Sequence, residues 1–348
     1  MPWYAFLLAP FALIFQVITS VRNFLFDRHL LQSFKSSVPT LVVGNLSVGG
    51  TGKTPMVEFL IANLQNEFKL ASLSRGYGRK TKGFLKTGIH STPAEVGDEP
   101  LQIFRKFKGE IPVFVGEDRV SALEKISAHL PELKLVILDD AFQHRRLSGD
   151  FYILLTPFGS PFSRDWLMPM GRLRESRNGA RRADLVVVTK CPEGLSSIQR
   201  AEVESGVKSY LSPEVPVFFS KIGYGNPYPV CQSPSFSKSV ILVSGLADDR
   251  SLVAYCKVNF NLLEVLSFSD HHHYSQEDCS RILALAQKHE GKSPVVLTTE
   301  KDSEKLKSLS NQGFLDEIPI FVLPIEAQFD LEDKEMLLSY IRGKFNKQ

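Results

Sequence analysis

The stretch NLSVGGTGKTP, residues 45–55, has the composition of a phosphate-binding loop. In such a loop, backbone N–H groups of a glycine-rich turn point at phosphate oxygens. The lysine that follows reaches the β- and γ-phosphates, and the next hydroxyl holds Mg²⁺. The candidate nucleotide-binding residues are Ser47, Val48, Gly49, Gly50, Thr51, Gly52, Lys53 and Thr54. The usual pattern G-x-x-x-x-G-K-[ST] has glycine where this chain has Ser47. The alternative interpretation is a glycine-rich turn with a solvated lysine.

Two adjacent acids follow an apolar run in LVILDDAFQHRR. An apolar strand that ends in a carboxylate is the Walker B arrangement, which places an acid beside Mg²⁺. Asp139 and Asp140 are therefore candidate metal residues, one holding the ion or its water and the other orienting a neighbour. A pair of exposed acids at a strand end is the alternative.

Acids and histidines recur in two further motifs, VGDEP with Asp98 and SDHHHYS with Asp270 and His271. Consecutive histidines point in different directions on a helix or strand, so three ligands to one ion do not fit this run. One histidine beside an acid suits a general base, because the carboxylate orients the imidazole. A solvated polar turn remains the alternative.

Basic residues cluster near predicted strand ends, where open α/β sheets bind ligands, and could neutralise phosphates of ATP or of an anionic substrate. They are Arg75, Arg79, Lys80, Lys82, Arg119, Arg145, Arg146, Arg172 and Arg174. Surface solvation is the alternative for each one. VVVTKC resembles a guanine-reading T-K-x-D loop, but Pro192 replaces the aspartate, which argues against guanine recognition.

Short β-branched runs alternate with helical patterns and would position these residues. The first series lies at 40–45, 70–83 (a strand followed by a loop rich in Gly, Lys and Arg), 112–119, 133–142, 151–156 and 183–190. A segment rich in Pro, Ser and aromatic residues follows at 216–239, and a second series lies at 240–248, 261–275, 293–302 and 318–329. This rhythm predicts an α/β protein with a mainly parallel sheet of the P-loop NTPase type and a second, smaller α/β domain. The predicted divisions are 1–35, a membrane-associated helix; 36–215, the P-loop domain; 216–239, a linker; and 240–348, the smaller domain.

Composition narrows the class of protein. The 348 residues are 43% hydrophobic and 23% charged, which is typical of a globular protein. A net charge of +3 gives no argument for nucleic acid as a partner. The cysteines at 191, 231, 256 and 279 form no C-x-x-C pair, so we expect a reducing compartment without zinc or disulfides.

The N-terminus is apolar from Pro2 to Phe26, with Arg22 as its only charge. A secretory signal would place positive charge before the apolar run, and none is present. Trp3 and Tyr4 suit a membrane interface, while Pro10 is expected to interrupt the run. We expect a helix that lies on or dips into a bilayer, with the rest of the chain cytosolic. A buried helix of a soluble core is the alternative.

The ordered motifs GNLSVGGTGKTP, SRGYGR, VGDEP, VFVGEDR, VILDDAFQH, MGRLRE and SDHHHYS resemble the tetraacyldisaccharide 4′-kinase family over nearly the whole chain. The resemblance implies a P-loop kinase on the cytoplasmic face of the bacterial inner membrane. Such a kinase transfers the γ-phosphate of ATP, with Mg²⁺, to the 4′-hydroxyl of a lipid A disaccharide 1-phosphate. The family's own loop carries Ser or Thr at the position of Ser47.

The resemblance also implies roles for individual residues. Lys53 and Thr54 take the phosphate and Mg²⁺ roles, Asp139 and Asp140 match the Walker B acids, and Asp98 with His271 matches the catalytic pair. Supporting or substrate-binding residues are Arg75, Tyr77, Arg119, Gln143, Arg172, Arg174 and Glu175. Neither nucleic acid nor an obligate protein partner is expected. The alternative function is a membrane-associated P-loop ATPase or GTPase switch, which would not need Asp98 and His271.

Overall fold

The computed structural model describes residues 7–230, 235–316 and 318–346. The predicted interfacial residues Trp3 and Tyr4, Cys231 and part of the predicted linker lie outside these ranges. The strands are β1 Phe34–Lys35, β2 Thr40–Asn45, β3 Leu70–Ser74, β4 Leu85–Lys86, β5 Val113–Val115, β6 Leu135–Asp139, β7 Leu147–Ser148, β8 Phe151–Pro157, β9 Leu185–Cys191, β10 Val217–Tyr224, β11 Tyr228–Pro229, β12 Ser239–Ser244, β13 Asn261–Ser267, β14 Val295–Thr299, β15 Ile320–Leu323 and β16 Ile325–Phe329. The helices are α1 Ala9–Asp27, α2 Lys53–Leu64, α3 Pro93–Val96, α4 Asp98–Lys106, α5 Arg119–His129, α6 Ser197–Lys208, α7 Arg250–Asn259, α8 Gln276–Lys288, α9 Glu300–Ser310 and α10 Leu331–Phe345.

The larger domain is built on a nine-stranded sheet in the order β16-β10-β9-β8-β2-β6-β3-β5-β4. Its pairs are parallel except at the two edges, where β16 and β4 run antiparallel to their neighbours. The central strands β2 and β6 are buried along their whole length, as expected when helices cover both faces of a sheet. The predicted mainly parallel α/β fold is confirmed.

Parallel pairing brings the carboxyl ends of β2 and β6 together, with Val43 opposite Asp139. Gly44 is required here, because a Cβ atom at this position would lie 2.5 Å from the Cβ of Phe142. The chain after β6 can therefore cross close to the end of β2. The same edge of the sheet thus carries both the glycine loop and the acid pair.

The smaller domain contains a five-stranded sheet in the order β11-β15-β14-β12-β13, parallel except for β11. The chain does not stay in this domain to its end. Pro324 separates β15 from β16, which returns to the edge of the large sheet beside β10. Helix α10 then packs Leu337 and Ile341 into the large core with Leu41.

These returning elements differ from the predicted division at 240–348, and Val217–Tyr224, expected in the linker, is strand β10 of the large sheet. The linker prediction followed the average composition of 216–239. The average does not reflect the apolar residues at the start of this segment, where Val217, Phe218 and Phe219 are buried. The small domain is consequently inserted into the large one between β10 and β16.

Helix α1 stands apart from both cores. Only 11% of its most apolar stretch of 18 residues is buried. Its exposed apolar side chains are Phe11, Leu13, Ile14, Val17, Ile18, Val21 and Phe24. Within the described residues it is the one helix long and apolar enough to cross a membrane by length and composition. This exposure does not fit the alternative of a buried core helix. Pro10 lies in the first turn, where proline is tolerated, and therefore does not interrupt the helix.

The last turns of α1 attach to the large domain through polar contacts. The Arg22 side chain donates to the Gln143 carbonyl at 2.7 Å, and Asn23 donates to the Glu175 carboxylate at 2.9 Å. Asp27 pairs with Arg145 at 2.6 Å. The apolar face of α1 is therefore held at a fixed position relative to the glycine loop.

Candidate active site

A cavity of about 610 Å³ opens between the carboxyl ends of the two sheets. Both domains line it. The large domain contributes the loop Ser47–Thr54 together with Arg75, Tyr77, Glu99, Asp139, Asp140, Arg174 and Lys190. The small domain contributes Leu246, Asp248, Ser251, Asp270, His271 and Lys301.

The glycine loop joins β2 to the start of α2, as a phosphate loop requires. Gly49 and Gly52 have φ values of 105° and 84°, which a side chain would strain. Ser47 is buried and forms an antiparallel bridge with Leu173. The Val48 N–H donates to the Arg172 carbonyl at 2.8 Å, so the first half of the loop is fixed by a neighbouring extended segment. This pairing uses the backbone of Ser47 and does not need a glycine.

Asn45 joins the loop to its basic residues, although the sequence analysis did not select it. Its Oδ1 accepts a hydrogen bond from Arg174 at 2.5 Å and lies 3.4 Å from Lys53 Nζ. Its Nδ2 donates to the Ser47 carbonyl. The signal available in the sequence was an amide at the end of an apolar strand, and the structure buries this amide fully, which requires hydrogen-bond partners.

The two adjacent acids occupy different environments. Asp139 is buried and its Oδ1 has no hydrogen-bond partner in the described residues. Burial, reinforced by the charge of Glu99, raises the pKa of Asp139 to about 7. Asp140 receives two hydrogen bonds from Arg174 at 2.8 and 3.2 Å and lies 3.7 Å from Lys53. Burial raises the pKa of Asp140, but Lys53 and Arg174 outweigh it and bring the value to about 2.

Four predicted supporting residues, Arg119, Gln143, Arg172 and Glu175, do not line the cavity. Arg119 is buried and donates to the carbonyls of Gly116, Glu117 and Asp139 at 2.9, 3.2 and 3.4 Å, which fixes the end of β6. Burial lowers the pKa of Arg119 to about 10.

The remaining three support the loop. The Arg172 side chain pairs with Asp165 at 3.1 Å. Gln143 donates to the Asn45 carbonyl at 2.8 Å and to Glu175 at 3.1 Å. Glu175 also pairs with Arg182 at 2.8 Å. By contrast, the predicted residues Arg75, Tyr77 and Arg174 line the cavity itself.

Asp98 and His271 meet across the domain boundary. Asp98 begins α4 after Gly97, whose φ is 95°, and His271 lies in the loop after β13 with a φ of 58°. His271 Nδ1 is 3.1 Å from Asp98 Oδ2, and Lys305 Nζ is 2.6 Å from the same oxygen. Burial raises the pKa of Asp98, but His271 and Lys305 outweigh it and hold the value below its usual range.

The three consecutive histidines have separate surroundings. The ring of His271 lies 5.0 Å from the ring of Tyr77, and His271 lines the cavity. His272 contacts Asp278 at 2.9 Å, at the start of α8, and stacks on Phe268. His273 is exposed. The three rings therefore do not converge on one point.

Three lysines near the cavity were missed by sequence reasoning. Lys190 has a φ of 57°, and burial lowers its pKa. Lys301 contacts Asp270 at 2.5 Å and lies 3.3 Å from His271 Nε2, while Lys305 reaches Asp98. The motif TTEKDSEK carries the last two one helical turn apart, but spacing alone does not reveal which face of α9 meets the other domain.

Comparison with known proteins gives a consistent result. The model of the family described as tetraacyldisaccharide-1-P 4′-kinase matches residues 4–344. The chain is 37% identical over 344 residues to the tetraacyldisaccharide 4′-kinase of Flavobacterium psychrophilum, covering 97% of this chain and 96% of that protein. It is 40% identical over 328 residues to the Flavobacterium johnsoniae enzyme, covering 93% and 92%.

A solved structure agrees along the whole length. LpxK from Aquifex aeolicus, crystallised in complex with ATP, superposes with a TM-score of 0.74 at 29% identity, covering 98% of this chain and 99% of that one. The resemblance inferred from the ordered motifs is confirmed, and these relatives give no support to the alternative of a nucleotide-dependent switch. With its fold, its ordered motifs and its relatives in agreement, this chain belongs to the tetraacyldisaccharide 4′-kinase family.

Proposed function

We propose that this protein transfers the γ-phosphate of ATP to the 4′-hydroxyl of a tetraacyldisaccharide 1-phosphate, a lipid A precursor, at the cytoplasmic face of the bacterial inner membrane. One observation carries the proposal: the glycine loop and His271 line one cavity. A nucleotide-dependent switch needs the loop alone. A kinase needs the loop and a proton acceptor for the attacking hydroxyl.

The phosphate end is supported by the loop geometry. Backbone N–H groups at the start of α2 favour an anion, and Lys53 adds a positive charge at the same place. The ATP complex of the Aquifex aeolicus relative supports ATP as the ligand of this loop. We assign Ser47–Thr54 to binding its phosphates.

The acids and hydroxyl beside the loop fit Mg²⁺. Asp139 offers a buried carboxylate oxygen without a partner in the described chain, and Thr54 and Asp140 complete the set. Across the described ranges, no three His, Cys, Asp or Glu side chains form a ready-made metal cluster. This agrees with Mg²⁺, which keeps several waters and binds through one or two carboxylates and the phosphates. When bound, the ion would neutralise charge on the phosphates.

His271 is the proposed proton acceptor. An ionised Asp98 can only accept hydrogen bonds, so a neutral His271 donates its Nδ1 proton to Asp98 and leaves Nε2 as the acceptor nitrogen, which Lys301 Nζ approaches to 3.3 Å. Nε2 then takes the proton of the 4′-hydroxyl as phosphoryl transfer begins. Arg75 and Tyr77, in the cavity wall beside His271, are proposed contacts for the anionic sugar.

Helix α1 supports the membrane location. Acyl chains resist leaving a bilayer by about 0.8 kcal/mol per CH₂, so the enzyme must act at the membrane surface. The exposed apolar face of α1 and its contacts to Gln143 and Glu175 would hold the cavity close to that surface.

The test is label transfer by the purified chain alone, with γ-labelled ATP, Mg²⁺ and the tetraacyldisaccharide 1-phosphate in detergent micelles. We expect label in the lipid, and we expect Lys53→Ala to reduce transfer by about 2–4 kcal/mol of transition-state stabilisation, or roughly 30- to 1,000-fold. Label released only as free phosphate would overturn the kinase proposal in favour of a switch. Near-normal turnover by Lys53→Ala would show that the loop is not the phosphate site.

A further inference from the structure

The ammonium group of Lys305, a residue of the small domain, contacts the Asp98 carboxylate that also contacts His271. Lys305 Nζ lies 2.6 Å from Asp98 Oδ2, and both side chains are only 8% exposed. His271 Nδ1 lies 3.1 Å from the same oxygen. One carboxylate oxygen of the large domain therefore receives an ammonium group and an imidazole, both from the small domain.

Lys305 also contacts the backbone next to His271. Its ammonium donates to the His272 carbonyl at 3.1 Å, while Lys301, one turn earlier on α9, pairs with Asp270 at 2.5 Å. The loop that carries His271 is thus held by α9 on both sides of the histidine. His271 has a φ of 58°, which for a residue other than glycine requires this kind of support.

The chemistry of the imidazole gives these contacts a consequence. A neutral histidine has one N–H donor and one acceptor nitrogen, and the partner of one nitrogen decides the state of the other. A fixed, ionised Asp98 makes Nδ1 the donor and leaves Nε2 as the acceptor. With a mobile or protonated Asp98, only Lys301, 3.3 Å from Nε2, would oppose the tautomer with hydrogen on Nε2, which cannot accept the proton of a hydroxyl.

We infer that Lys305 is a positioning residue of this kinase site, holding the Asp98 carboxylate so that His271 keeps the tautomer with an unprotonated Nε2. The inference rests on the proposed function. It assigns Lys305 no contact with substrate or nucleotide. The competing explanation is a buried ion pair that only joins the two domains, which would affect stability and leave the histidine tautomer unchanged.

The kinetic test compares Lys305→Gln with Lys307→Gln, a matched neutralisation on the same helix. For Lys305→Gln we expect kcat to fall about 10- to 100-fold, the range found for groups that orient a catalytic ligand, with KM for ATP within about twofold. Lys307→Gln should match the wild type. In an Asp98→Asn background, Lys305→Gln should cause no further loss of kcat, because its target carboxylate is already gone. An equal loss in both backgrounds, or no loss in either, overturns the inference.

The tautomer can be read directly from ¹⁵N-histidine NMR spectra, with the His271 signal assigned by its loss in His271→Gln. We expect the Nδ1–H form in the wild type and a mixture of tautomers in Lys305→Gln. A wild type with hydrogen on Nε2 overturns the inference even if Lys305→Gln does not fold. So does a Lys305→Gln variant that keeps the wild-type spectrum. Wild-type protein that puts no label into lipid contradicts the proposed function instead, so the two failures are distinguishable.

Discussion

At the scale of single residues, neighbours of identical type differ in what they can do. Asp139 is buried with one oxygen that has no partner within the described ranges, whereas Asp140 is held by Arg174 and lies near Lys53. A φ of 50° at Asp140 turns the chain sharply after β6, so the two carboxylates enter different surroundings. Asp139 is therefore the acid with an available oxygen, and Asp140 also fixes the basic residues around the loop.

This difference predicts opposite effects of two substitutions on stability. The pKa of Asp139 is about 7 in the folded chain against about 3.9 in an unfolded one, so the folded state binds more protons between these values. The free energy of unfolding therefore falls as pH rises from about 4 to 7. Asp139→Asn removes this pH-dependent loss of stability. At pH 8 in EDTA we expect its Tm to rise by about 2–4 °C, which corresponds to about 1 kcal/mol. Near pH 4 we expect little change in Tm.

Asp140→Asn is the matched control. Its folded pKa of about 2 lies below the unfolded value, so ionised Asp140 stabilises the fold above about pH 4 and that stability is lost as pH falls toward 2. We expect Asp140→Asn to lower Tm at pH 8. Scanning calorimetry of both variants at pH 4 and pH 8 checks that their Tm values change in opposite directions at pH 8. A lower Tm for Asp139→Asn at pH 8 would contradict the assignment of Asp139 as a destabilising buried acid.

At the scale of elements, α1 combines an exposed apolar face with a polar end docked on the large domain. Ile14 and Ile18, one turn apart, are 57% and 61% exposed, whereas Phe26 is buried. Removing the whole helix would also break the contacts of Arg22 and Asn23 near Gln143 and Glu175. Point substitutions on the apolar face therefore separate membrane binding from the integrity of the loop.

We expect the double variant Ile14→Glu, Ile18→Glu to lose membrane binding by roughly 100-fold or more. Burying each isoleucine in the bilayer contributes about 1.5–3 kcal/mol, and a carboxylate in its place adds a penalty. The control is Ile198→Glu, Val258→Glu, which adds the same charge at sites 80% and 84% exposed on α6 and α7. Co-sedimentation with phospholipid vesicles measures the bound fraction. If the α1 variant sediments as fully as its control, the membrane contact lies elsewhere.

The sequence was sufficient for elements with local signals. The runs that became β2, β6, β8 and β9 are apolar and bounded by turn residues, and the glycine loop has its own pattern. The sequence was insufficient where contacts between residues distant in the chain determine the structure. Strand β16 follows β15 after one proline yet joins the other sheet, and Asn45, Lys301 and Lys305 acquire roles only from partners distant in the chain. The Asp98–His271 pair came from family resemblance, since 173 positions separate the two residues.

At the scale of the whole molecule, a second charged cluster joins the domains at the margin of the cavity, which Glu300 also lines. Lys106 of α4 contacts Glu58 of α2 at 2.8 Å and Glu300 of α9 at 3.1 Å. Both carboxylates are almost fully buried. Burial, with the charge of Glu300, raises the pKa of Glu58 to about 7. One cation thus separates two acids that would otherwise repel each other at the boundary between the domains.

We expect Lys106→Met to lower the free energy of unfolding by about 3–5 kcal/mol, because it leaves two buried carboxylates without their cation. The companion variant Lys106→Met, Glu58→Gln removes one of these charges and should recover part of the loss. Urea denaturation followed by fluorescence measures both. A double variant less stable than Lys106→Met alone would show that charge repulsion is not the cause.

The insertion of the small domain between β10 and β16 also bears on how the chain is synthesised. The edge strand β16 of the large sheet and the core residues Leu337, Leu338, Ile341 and Phe345 follow the small domain in the chain and are translated after it. Domains of many proteins fold in order as they leave the ribosome. Here the small domain, continuous in sequence, can complete its fold first, because the P-loop domain also requires β16 and α10, which are translated after the small domain. A chain stalled before α10 would leave the phosphate-loop domain without its apolar cover, and so exposed to proteases and chaperones.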